Sequence, residues 1–386
     1  MTFLLLGVLS FRPADAAPPQ KGPAYYTDVH GAGALVQSMH AVARFAPAYK
    51  LHRDAGVNWL LRQVREFPHE GRTWRQNPSA RKGTTKYNLA ITVTANYSAK
   101  ALLEVYEETK DPRLLAVIDD HMAWLKQTAH QKSSRRGSDA LFWTSRHEIE
   151  PTRRAAKPRP LLSGNSWGFG NVLDAFGEYY RLTKDESVLP YLEKGTRFGY
   201  LASIKTRGTS ATADFRRRRG LPPPEAGGSA DHFQRIHWKR GDGSVVMGFC
   251  RGCSGNVHAL QTAQELIPGV TITEDHSIED VINSGLRFLI DEAEKQNKQA
   301  IWSNMNGRPG ERNLGIGRGV SGIATTLWRG YEMNRELGNH EMARRCRETA
   351  EGTIRLILDE VESLDPTEPL SEYVAAQDES ADKKKV

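Results

Sequence analysis

Apolar residues recur every three or four positions along most of this chain, and polar segments separate the stretches in which they do so. This spacing predicts amphipathic α-helices, and the alternation typical of strands is rare. We therefore expect an all-α fold built from five pairs of helices. The pairs span about residues 32–45 with 50–66, 90–107 with 112–128, 168–182 with 188–203, 254–266 with 277–294, and 320–337 with 339–358.

Glycine precedes the first helix of most pairs. These starts are His30-Gly31-Ala32-Gly33, Trp167-Gly168-Phe169-Gly170, Gly252-Cys253-Ser254-Gly255 and Gly319-Val320-Ser321-Gly322, with a copy lacking glycine near Ala90. They lie roughly 60 to 85 residues apart, the length of a helical hairpin with its loops. The turn before Pro112, in which Asp111 can cap the next helix, is echoed by the turn around Asp185. Both observations predict an internal repeat.

Consecutive helical hairpins of this kind close into a ring, with one helix layer inside and one outside. Long loops near residues 68–88, 131–165, 206–248 and 297–318 all precede inner helices. They therefore gather at one end of the ring and can build a site there. The sequence predicts an α/α toroid over residues 24–360 with a loop-bearing mouth.

The two chain ends differ from the repeats. Thr2 to Phe11 form a short apolar run, and Ala14-Asp15-Ala16 offers a small-x-small cleavage site, although no Lys or Arg precedes the run. We expect a signal peptide over residues 1–16 and a secreted or periplasmic protein. Residues 361–386 are highly charged, which predicts a disordered tail. No later stretch is long and apolar enough to predict a membrane span.

Composition and charge narrow the classes of partner. The hydrophobic share of 39% suits a globular protein, and the net charge of +7 arises largely from basic groups at residues 153–159 and 216–219. These groups are either solvated loop charges or a rim that attracts an acidic substrate. No nucleic-acid motif accompanies them, so we expect no nucleic-acid partner. Three cysteines are too few for a disulfide scaffold.

The glycine-rich starts carry a resemblance to a known family. Cys250-Arg251-Gly252-Cys253-Ser254-Gly255, together with the Gly-x-x-Gly starts of other pairs, resembles the lanthionine synthetase C-like family. The resemblance covers about residues 24–358 and implies an α/α toroid. Six-hairpin glycosidases, sugar epimerases and polysaccharide lyases also use such hairpins, so the resemblance implies the fold more strongly than the chemistry.

The cyclases of that family hold zinc with a Cys-x-Gly motif in one repeat and a Cys-His-Gly motif in the next. Cys250-Arg251-Gly252 matches the first motif, but Gly317-Arg318-Gly319 stands where the second is expected. The His-Gly of the middle repeat is replaced by Trp167-Gly168. The resemblance therefore implies a toroid without zinc-dependent cyclase activity, and we expect no cofactor.

A zinc site rebuilt from nearby residues is an alternative. Cys250 and Cys253 have the spacing that places two thiolates on one metal, and His258 follows about one helical turn later. The cysteine pair could equally be a disulfide or redox pair, or two small packing residues. Cys346 lies in an outer-helix pattern, where we expect it to be buried.

Other candidate site residues precede the inner helices. Asp28 and His30 could supply a general base with its orienting carboxylate, or could cap and pack the first helix. Aromatic side chains in loops or at helix starts can stack on a sugar or peptide, or cover the end of the ring. These are Trp143, Trp167, Trp238 and Trp302. The carboxylates available for a glycosidase-type pair are Asp28, Asp174, Asp231 and Asp242, and none stands in a recognisable motif.

Arg251 and Arg318 occupy matching positions, each one residue before the glycine of its repeat. If the inner helices line a ring, both arginines face the mouth and could bind an anionic ligand; exposed or ion-paired arginines are the alternative. We predict an exported toroid that binds or processes a peptide or saccharide at the mouth, with Trp167, Arg251 and Arg318 in contact with the ligand. The alternative is a carbohydrate-active enzyme: a glycoside hydrolase, lyase or epimerase.

Overall fold

A computed structural model describes residues 29–66, 71–75, 89–133, 139–144, 146–148, 161, 168–206, 235–238, 245–250, 252–273, 276–302, 314 and 319–362. The predicted signal peptide and residues 363–386 of the predicted tail lie outside these residues, whereas residues 361 and 362 form the end of the last helix. Within them the chain forms ten α-helices, arranged as the five predicted pairs. The helices are α1 (Val29–Ala43), α2 (Lys50–Gln63), α3 (Thr92–Thr109), α4 (Pro112–Gln127), α5 (Phe169–Thr183), α6 (Leu189–Ala202), α7 (Cys253–Leu266), α8 (Ile278–Asp291), α9 (Val320–Glu336) and α10 (His340–Glu362).

The helices lie in two layers. Helices α1, α3, α5, α7 and α9 contact one another in chain order and form the inner layer, while each even-numbered helix packs outside the helix that precedes it. The fold-class prediction of an all-α, α/α toroid is confirmed. None of the described helices combines the length and the apolarity that crossing a membrane requires. Asp111 caps α4 as predicted, since its carboxylate accepts a hydrogen bond from the Arg113 amide.

Short antiparallel strand pairs, which were not predicted, lie in the loop segments and at the ends of some predicted helices. The helix predicted over residues 50–66 ends at Gln63, and Val64–Glu66 form a strand instead. Four pairs follow the outer helices α2, α4, α6 and α8: β1 (Val64–Glu66) with β2 (Arg72–Trp74), β4 (His130–Ser133) with β5 (Asp139–Phe142), β7 (Ile204–Thr206) with β8 (Arg235–His237), and β11 (Glu294–Gln296) with β12 (Gln299–Ile301). These strands are only three or four residues long, too short for an alternating pattern to stand out.

Two further strand pairs differ in where they lie. The pair β9 (Thr271–Thr273) and β10 (His276–Ser277) connects α7 to α8. The pair β3 (Leu89–Ile91) and β6 (Arg146–Glu148) joins the segment that enters α3 to the segment ahead of α5. This last pairing is not local in sequence. It brings the approaches of two inner helices together, as expected if the connecting segments share one end of the ring.

Each strand pair that follows an outer helix has a tryptophan at its end. The side chain of this tryptophan contacts the same outer helix. The indole Nε1 donates a hydrogen bond to a carbonyl among the last four residues of the helix, where carbonyls lack an intrahelical partner. The four bonds are Trp74 to Leu60 O at 3.0 Å, Trp143 to Leu125 O at 2.8 Å, Trp238 to Gly199 O at 2.8 Å and Trp302 to Leu289 O at 2.8 Å. All four side chains are at most 1% exposed.

Three of these rings also pack against the next outer helix along the chain. The Trp74 ring lies 5.2 Å from the His121 ring of α4. A Cβ added at Gly195 of α6 would lie 3.2 Å from the Trp143 ring, and one at Gly285 of α8 would lie 3.6 Å from the Trp238 ring. Each such tryptophan therefore links two consecutive outer helices by a hydrogen bond to one and by packing on the other.

This arrangement decides between the two interpretations of the loop tryptophans. Trp143, Trp238 and Trp302 do not gather at the mouth to stack on a ligand, because they are buried and bonded to helix ends. Their indole rings need a large apolar contact area and a partner for the N–H group, and the outer layer provides both. Trp167 lies outside the described residues. Cys346 is buried in α10 as predicted.

We expect Trp143→Phe to destabilise the protein by about 1–2 kcal/mol, since the ring is largely kept but the bond to Leu125 O is lost. Trp143→Ala should cost about 3–5 kcal/mol because it also leaves a cavity. Urea denaturation measures both values. Phe45→Leu, at a position that is 77% exposed after α1, is the control and should change stability little. Equal effects of Trp143→Phe and Phe45→Leu would contradict the role of the indole bond.

Buried His121 predicts how stability depends on pH. Burial lowers the pKa of His121 to about 3, and its ring nitrogens face the Thr73 hydroxyl at 3.0 Å and Asn96 Oδ1 at 2.8 Å. As the pH falls below 6.5, the ordinary pKa of histidine, His121 binds a proton in the unfolded chain but stays neutral in the folded protein. Stability should therefore fall with decreasing pH, by up to about 1.4 kcal/mol per pH unit from this residue.

Denaturant titrations of the wild type and His121→Gln across this pH range test the expectation. The variant should lose less free energy of unfolding per pH unit than the wild type, because glutamine does not titrate. An unchanged slope would show that His121 becomes charged in the folded protein.

Candidate functional site

The inner helices α5, α7 and α9 start in the same way. Each has a glycine with extended backbone at its N-cap: Gly168, Gly252 and Gly319. At Gly252 the reason is steric, since a Cβ would collide with the carbonyl oxygens of Val246 and Gly248. The same approach lets the Cys253 amide donate to Val246 O at 2.8 Å. The shared start sets a common register for the three helices.

In that register, polar residues occur six, ten and thirteen positions after the N-cap glycine. They are Asp174, Glu178 and Arg181 on α5; His258, Thr262 and Glu265 on α7; and Thr325, Arg329 and Glu332 on α9. Residues spaced by four and then three positions share one face of a helix. On α3, Lys100 and Glu104 have the same spacing and contact this set. The face opposite is apolar and belongs to the core, so the polar face lines the lumen of the toroid.

Side chains from the lumen face connect all five inner helices. Gln37 of α1 donates to Glu104 of α3 at 2.8 Å. Lys100 Nζ of α3 lies 3.2 Å from Glu178 Oε1 and 3.6 Å from Asp174 Oδ2 of α5. Each of these contacts lies in the lumen, because it joins side chains of two neighbouring inner helices.

The network continues from α5 to α9. Arg181 Nη2 of α5 donates to Glu265 Oε2 of α7 at 2.6 Å. Arg329 of α9 also donates to Glu265, and it reaches the Thr262 hydroxyl at 3.2 Å. Its Nη1 lies 3.0 Å from Nε2 and 3.2 Å from Nδ1 of His258. Helices α7 and α9 are thus tied together by one guanidinium.

The lumen side chains differ in exposure. Asp174 is 7% exposed and Lys100 13%, whereas Glu178 is 31% and Glu265 48% exposed. Solvent therefore reaches Glu178 and Glu265 more freely than it reaches Asp174 and Lys100. The charges of the enclosed Asp174 and Lys100 interact more strongly, because water screens them less.

The charges in the lumen keep Lys100 protonated, because two carboxyl groups lie beside its ammonium group. Burial opposes the charge of Lys100, but Glu178 and Asp174 outweigh this effect and raise its pKa above the ordinary value. Burial raises the pKa of Glu178, and repulsion from Asp174 adds to this shift. Burial likewise raises the pKa of Glu104, and repulsion from Glu178 adds to that shift. Carboxyl groups with raised pKa can serve as proton donors nearer neutral pH than ordinary ones.

His258 is neutral in this network. Burial and, to a smaller extent, the adjacent Arg329 guanidinium lower its pKa to about 3. A neutral imidazole accepts a hydrogen bond and does not donate a proton as an acid. His258 lies beside the Arg329 guanidinium and helps to position it.

Cys253, one member of the predicted cysteine pair, has the surroundings of a packing residue. Cys253 is fully buried at the first turn of α7; its sulfur lies 3.5 Å from the Trp238 amide nitrogen and 3.7 Å from the Trp238 carbonyl oxygen. Burial raises the pKa of its thiol to about 12, so the thiol stays protonated. Cys250 and Cys253 are not joined by a disulfide in this structure.

These surroundings do not suit the zinc site that the family resemblance raised. The Cys253 sulfur is directed to the backbone of Trp238, whose amide nitrogen and carbonyl oxygen lie 3.5 and 3.7 Å away. His258 already lies against a guanidinium, which repels a cation. The described residues contain no group of three or more His, Cys, Asp or Glu side chains arranged to hold a metal.

The other predicted site residues cannot be placed in this geometry. Asp28, Trp167, Arg251 and Arg318 lie outside the described residues, as do Asp231 and Asp242, and only the backbone of His30 is described, within α1. Their assigned roles stay predictions. Of the candidates from sequence, the lumen brings together Asp174 and His258.

Most lumen residues were missed from sequence, among them Lys100, Glu104, Glu178 and Arg329. The signal was present, because aligning the inner helices on their N-cap glycines shows polar residues at one repeated spacing on otherwise apolar helices. Helix α3 lacks the glycine that sets the register, and each residue alone reads as an ordinary polar position. The contacts between helices, which bring these residues together in the lumen, can be seen only in the folded structure.

Comparison with known proteins supports the fold and part of the family resemblance. Residues 224–329 match the profile of the lanthionine synthetase C-like protein family, which confirms the resemblance for the segment that holds α7, α8 and the first part of α9. No curated protein sequence matches the chain.

Solved structures resemble the chain over most of its length. Cellobiose 2-epimerase from Bacillus thermoamylovorans B4167 superposes with a TM-score of 0.52 and 12% identity, over 89% of this chain and 78% of that one. Cellobiose 2-epimerase from Spirochaeta thermophila DSM 6192 has a TM-score of 0.48 and 15% identity, over 86% and 74%. The GH76A alpha-1,6-mannanase from Salegentibacter sp. HEL1_6 has a TM-score of 0.44 and 13% identity, over 74% and 70%. At such identities the first of these identifies the class of fold, an α/α toroid.

Lys100→Met tests the electrostatics of the lumen. Without the ammonium, Asp174 and Glu178 are left close together, and the folded-state pKa of Glu178 should rise further. We expect a loss of about 2 kcal/mol at neutral pH, below the value for a fully buried pair because Glu178 is partly exposed. A raised folded pKa means that this loss is greatest at high pH and shrinks as the pH falls towards 4.5.

Denaturant unfolding at several pH values measures the difference between variant and wild type. Lys194→Met is the matched control, because Lys194 pairs with Asp139 at 2.5 Å where both side chains are 36% exposed. The control should lose little at any pH. A deficit in Lys100→Met that does not change with pH would contradict the role assigned to Lys100.

Proposed function

We propose that this protein binds a saccharide in the lumen of its toroid. The observation that carries the proposal is the cluster of Lys100, Asp174 and Glu178, in which one ammonium and two carboxyl groups meet in the lumen. A sugar hydroxyl both donates and accepts hydrogen bonds, so it is matched by a donor and an acceptor lying side by side. Arg329 beside Thr262 and Glu265 repeats this combination on the other side of the lumen.

A saccharide suits this lumen better than a peptide does. The charged groups are already paired with one another, so a neutral ligand rich in hydroxyl groups can exchange hydrogen bonds with them without burying a new net charge. A peptide would bring apolar side chains to a surface that is polar on every inner helix. The shared fold of a cellobiose 2-epimerase, whose name gives a disaccharide as its substrate, supports the same class of ligand.

We also propose that the protein lacks zinc-dependent cyclase activity. Such chemistry needs a metal that lowers the pKa of a substrate thiol and holds the thiolate. The contacts of the Cys253 sulfur with the Trp238 backbone and the guanidinium beside His258 support this proposal. The Arg318 that replaces a ligand in the family motif supports the same conclusion.

Acid–base processing of the bound saccharide is the second candidate function. It is favoured by the raised pKa values of Glu104 on α3 and Glu178 on the neighbouring helix α5. Glycoside chemistry uses two carboxyl groups about 5–10 Å apart, one of which donates a proton. Asp174 and Glu178, both within reach of Lys100 Nζ, meet the requirement for two nearby carboxyl groups.

Export is proposed on the sequence alone. The apolar run from Thr2 to Phe11 and the small residues Ala14 and Ala16 support a cleaved signal peptide. N-terminal sequencing of the protein recovered from outside the cytoplasm should give a mature chain that starts at Ala17. A protein retained inside the cell with residues 1–16 attached would contradict the proposal.

Titration calorimetry with neutral oligosaccharides and with unmodified peptides tests the binding function. We expect a saccharide to bind and Glu178→Gln to weaken it by about ten- to a hundredfold, since hydrogen bonds to a charged group are lost. Glu193→Gln is the matched control, because Glu193 of α6 pairs with Arg197 in the outer layer. NMR spectra of the sugar after incubation separate binding from hydrolysis or epimerisation.

Each outcome of this experiment has a clear meaning. Binding of peptides but of no saccharide would contradict the proposed ligand class. Saccharide binding that is equal in Glu178→Gln and in Glu193→Gln would place the site outside the lumen. An unchanged sugar spectrum with retained binding would exclude the enzymatic alternative for that sugar.

A further inference from the structure

The last helical pair presents an apolar surface on the side where the repeat would continue. Six large apolar side chains in the described part of the chain are exposed, and four belong to this pair or its connection. They are Trp328 at 38%, Leu337 at 53%, Ile354 at 40% and Leu358 at 50% exposed. An isolated exposed leucine needs no explanation, but a cluster on one element marks an interaction surface.

The register of the inner helices shows what Trp328 would normally contact. It lies nine positions after its N-cap glycine, as do Gly177 on α5 and Gln261 on α7. A Cβ at Gly177 would lie 3.0 Å from Thr262 of α7, and Gln261 donates to Thr326 O of α9 at 3.1 Å. In both earlier repeats this position faces the next inner helix. In α9 it carries a tryptophan that is more than a third exposed.

Helix α10 continues the same surface. Arg347, Glu351, Ile354 and Leu358 recur with spacings of four, three and four, so they form one stripe. The opposite side of α10 faces the preceding pair, since Arg345 bonds to Asp291 of α8 at 2.7 Å. The stripe therefore points away from the rest of the described chain.

Aromatic contacts join the stripe to Trp328. The Trp328 and Tyr331 rings lie 5.3 Å apart, and the Arg347 guanidinium lies 6.0 Å from the Tyr331 ring. We call these six residues the terminal face: Trp328, Tyr331, Arg347, Glu351, Ile354 and Leu358. Aromatic and arginine side chains around an apolar centre are the composition typical of protein interfaces.

We propose that a second copy of this chain covers the terminal face and forms a two-fold symmetric dimer. Every other joint in the toroid is a helical pair packed on a helical pair, so the occupant that fits best is itself a helical pair. The charges are self-complementary, because Arg347 and Glu351 are neighbours, with Nε and Oε1 2.7 Å apart. A two-fold axis can place the arginine of one copy against the glutamate of the other, and such contacts close without further growth.

Sedimentation velocity of the full-length chain over a wide range of concentration tests the proposal. We expect a dimer in the wild type and at least about tenfold weaker association in Trp328→Glu and in Ile354→Glu. Leu51→Glu is the matched control: Leu51 is 78% exposed on α2, outside the terminal face, and its substitution should leave the dimer intact. Circular dichroism confirms that each variant is folded.

Charge exchange tests the two-fold arrangement. Arg347→Glu and Glu351→Arg should each weaken the dimer, and the double variant should restore it, because the exchanged charges again meet their opposites. A wild type that is monomeric at all concentrations would overturn the proposal. So would a dimer that survives Trp328→Glu and Ile354→Glu, or one that Leu51→Glu disrupts. A double variant no better than the single ones would overturn the two-fold pairing of these charges.

Discussion

The outer layer depends on a hydrogen bond from a buried indole to the last turn of an outer helix. A helix end leaves four carbonyls without a partner, and burying them unpaired is costly. Trp74, Trp143, Trp238 and Trp302 each satisfy one of these carbonyls while filling space beside the helix. The short strand pairs before them hold the indoles in place. Consecutive outer helices are thereby fixed to one another at the end where the connecting segments lie.

A fixed outer layer allows the inner helices to carry a polar face. Their outward sides supply the apolar core, and their lumen sides place Lys100, Asp174, Glu178 and Arg329 in contact across helix boundaries. Such groups stabilise a fold little by themselves, since desolvation offsets much of their attraction. Their arrangement is better explained by a ligand that needs donors and acceptors at defined positions, which is the basis of the proposed function.

The sequence predicted the helices well because their apolar spacing is a local property. All five pairs were found, and the turn at Asp111 and the buried Cys346 were as expected. The strand pairs were missed because three residues carry too little pattern. Trp143, Trp238 and Trp302 were open to two interpretations from sequence, since a ligand and a helix end make the same demand for an aromatic ring with a donor.

The site was harder to predict than the fold for a related reason. The family motifs indicated Cys250 and Cys253 as site residues. Cys253 is instead a packing residue whose sulfur contacts the Trp238 backbone. Glu178 and Lys100 acquire their role only when α3 and α5 lie side by side, which no local pattern reports. Repeats aligned by a structural landmark, the N-cap glycine, are the part of the sequence that could have shown the lumen face.

A crystal structure with a bound oligosaccharide tests the central claim most directly. The account predicts sugar hydroxyl groups within hydrogen-bonding distance of Lys100, Asp174 or Glu178, inside the lumen and between α3 and α5. A sugar bound only on the outer surface, with the lumen side chains still paired as they are here, would contradict it.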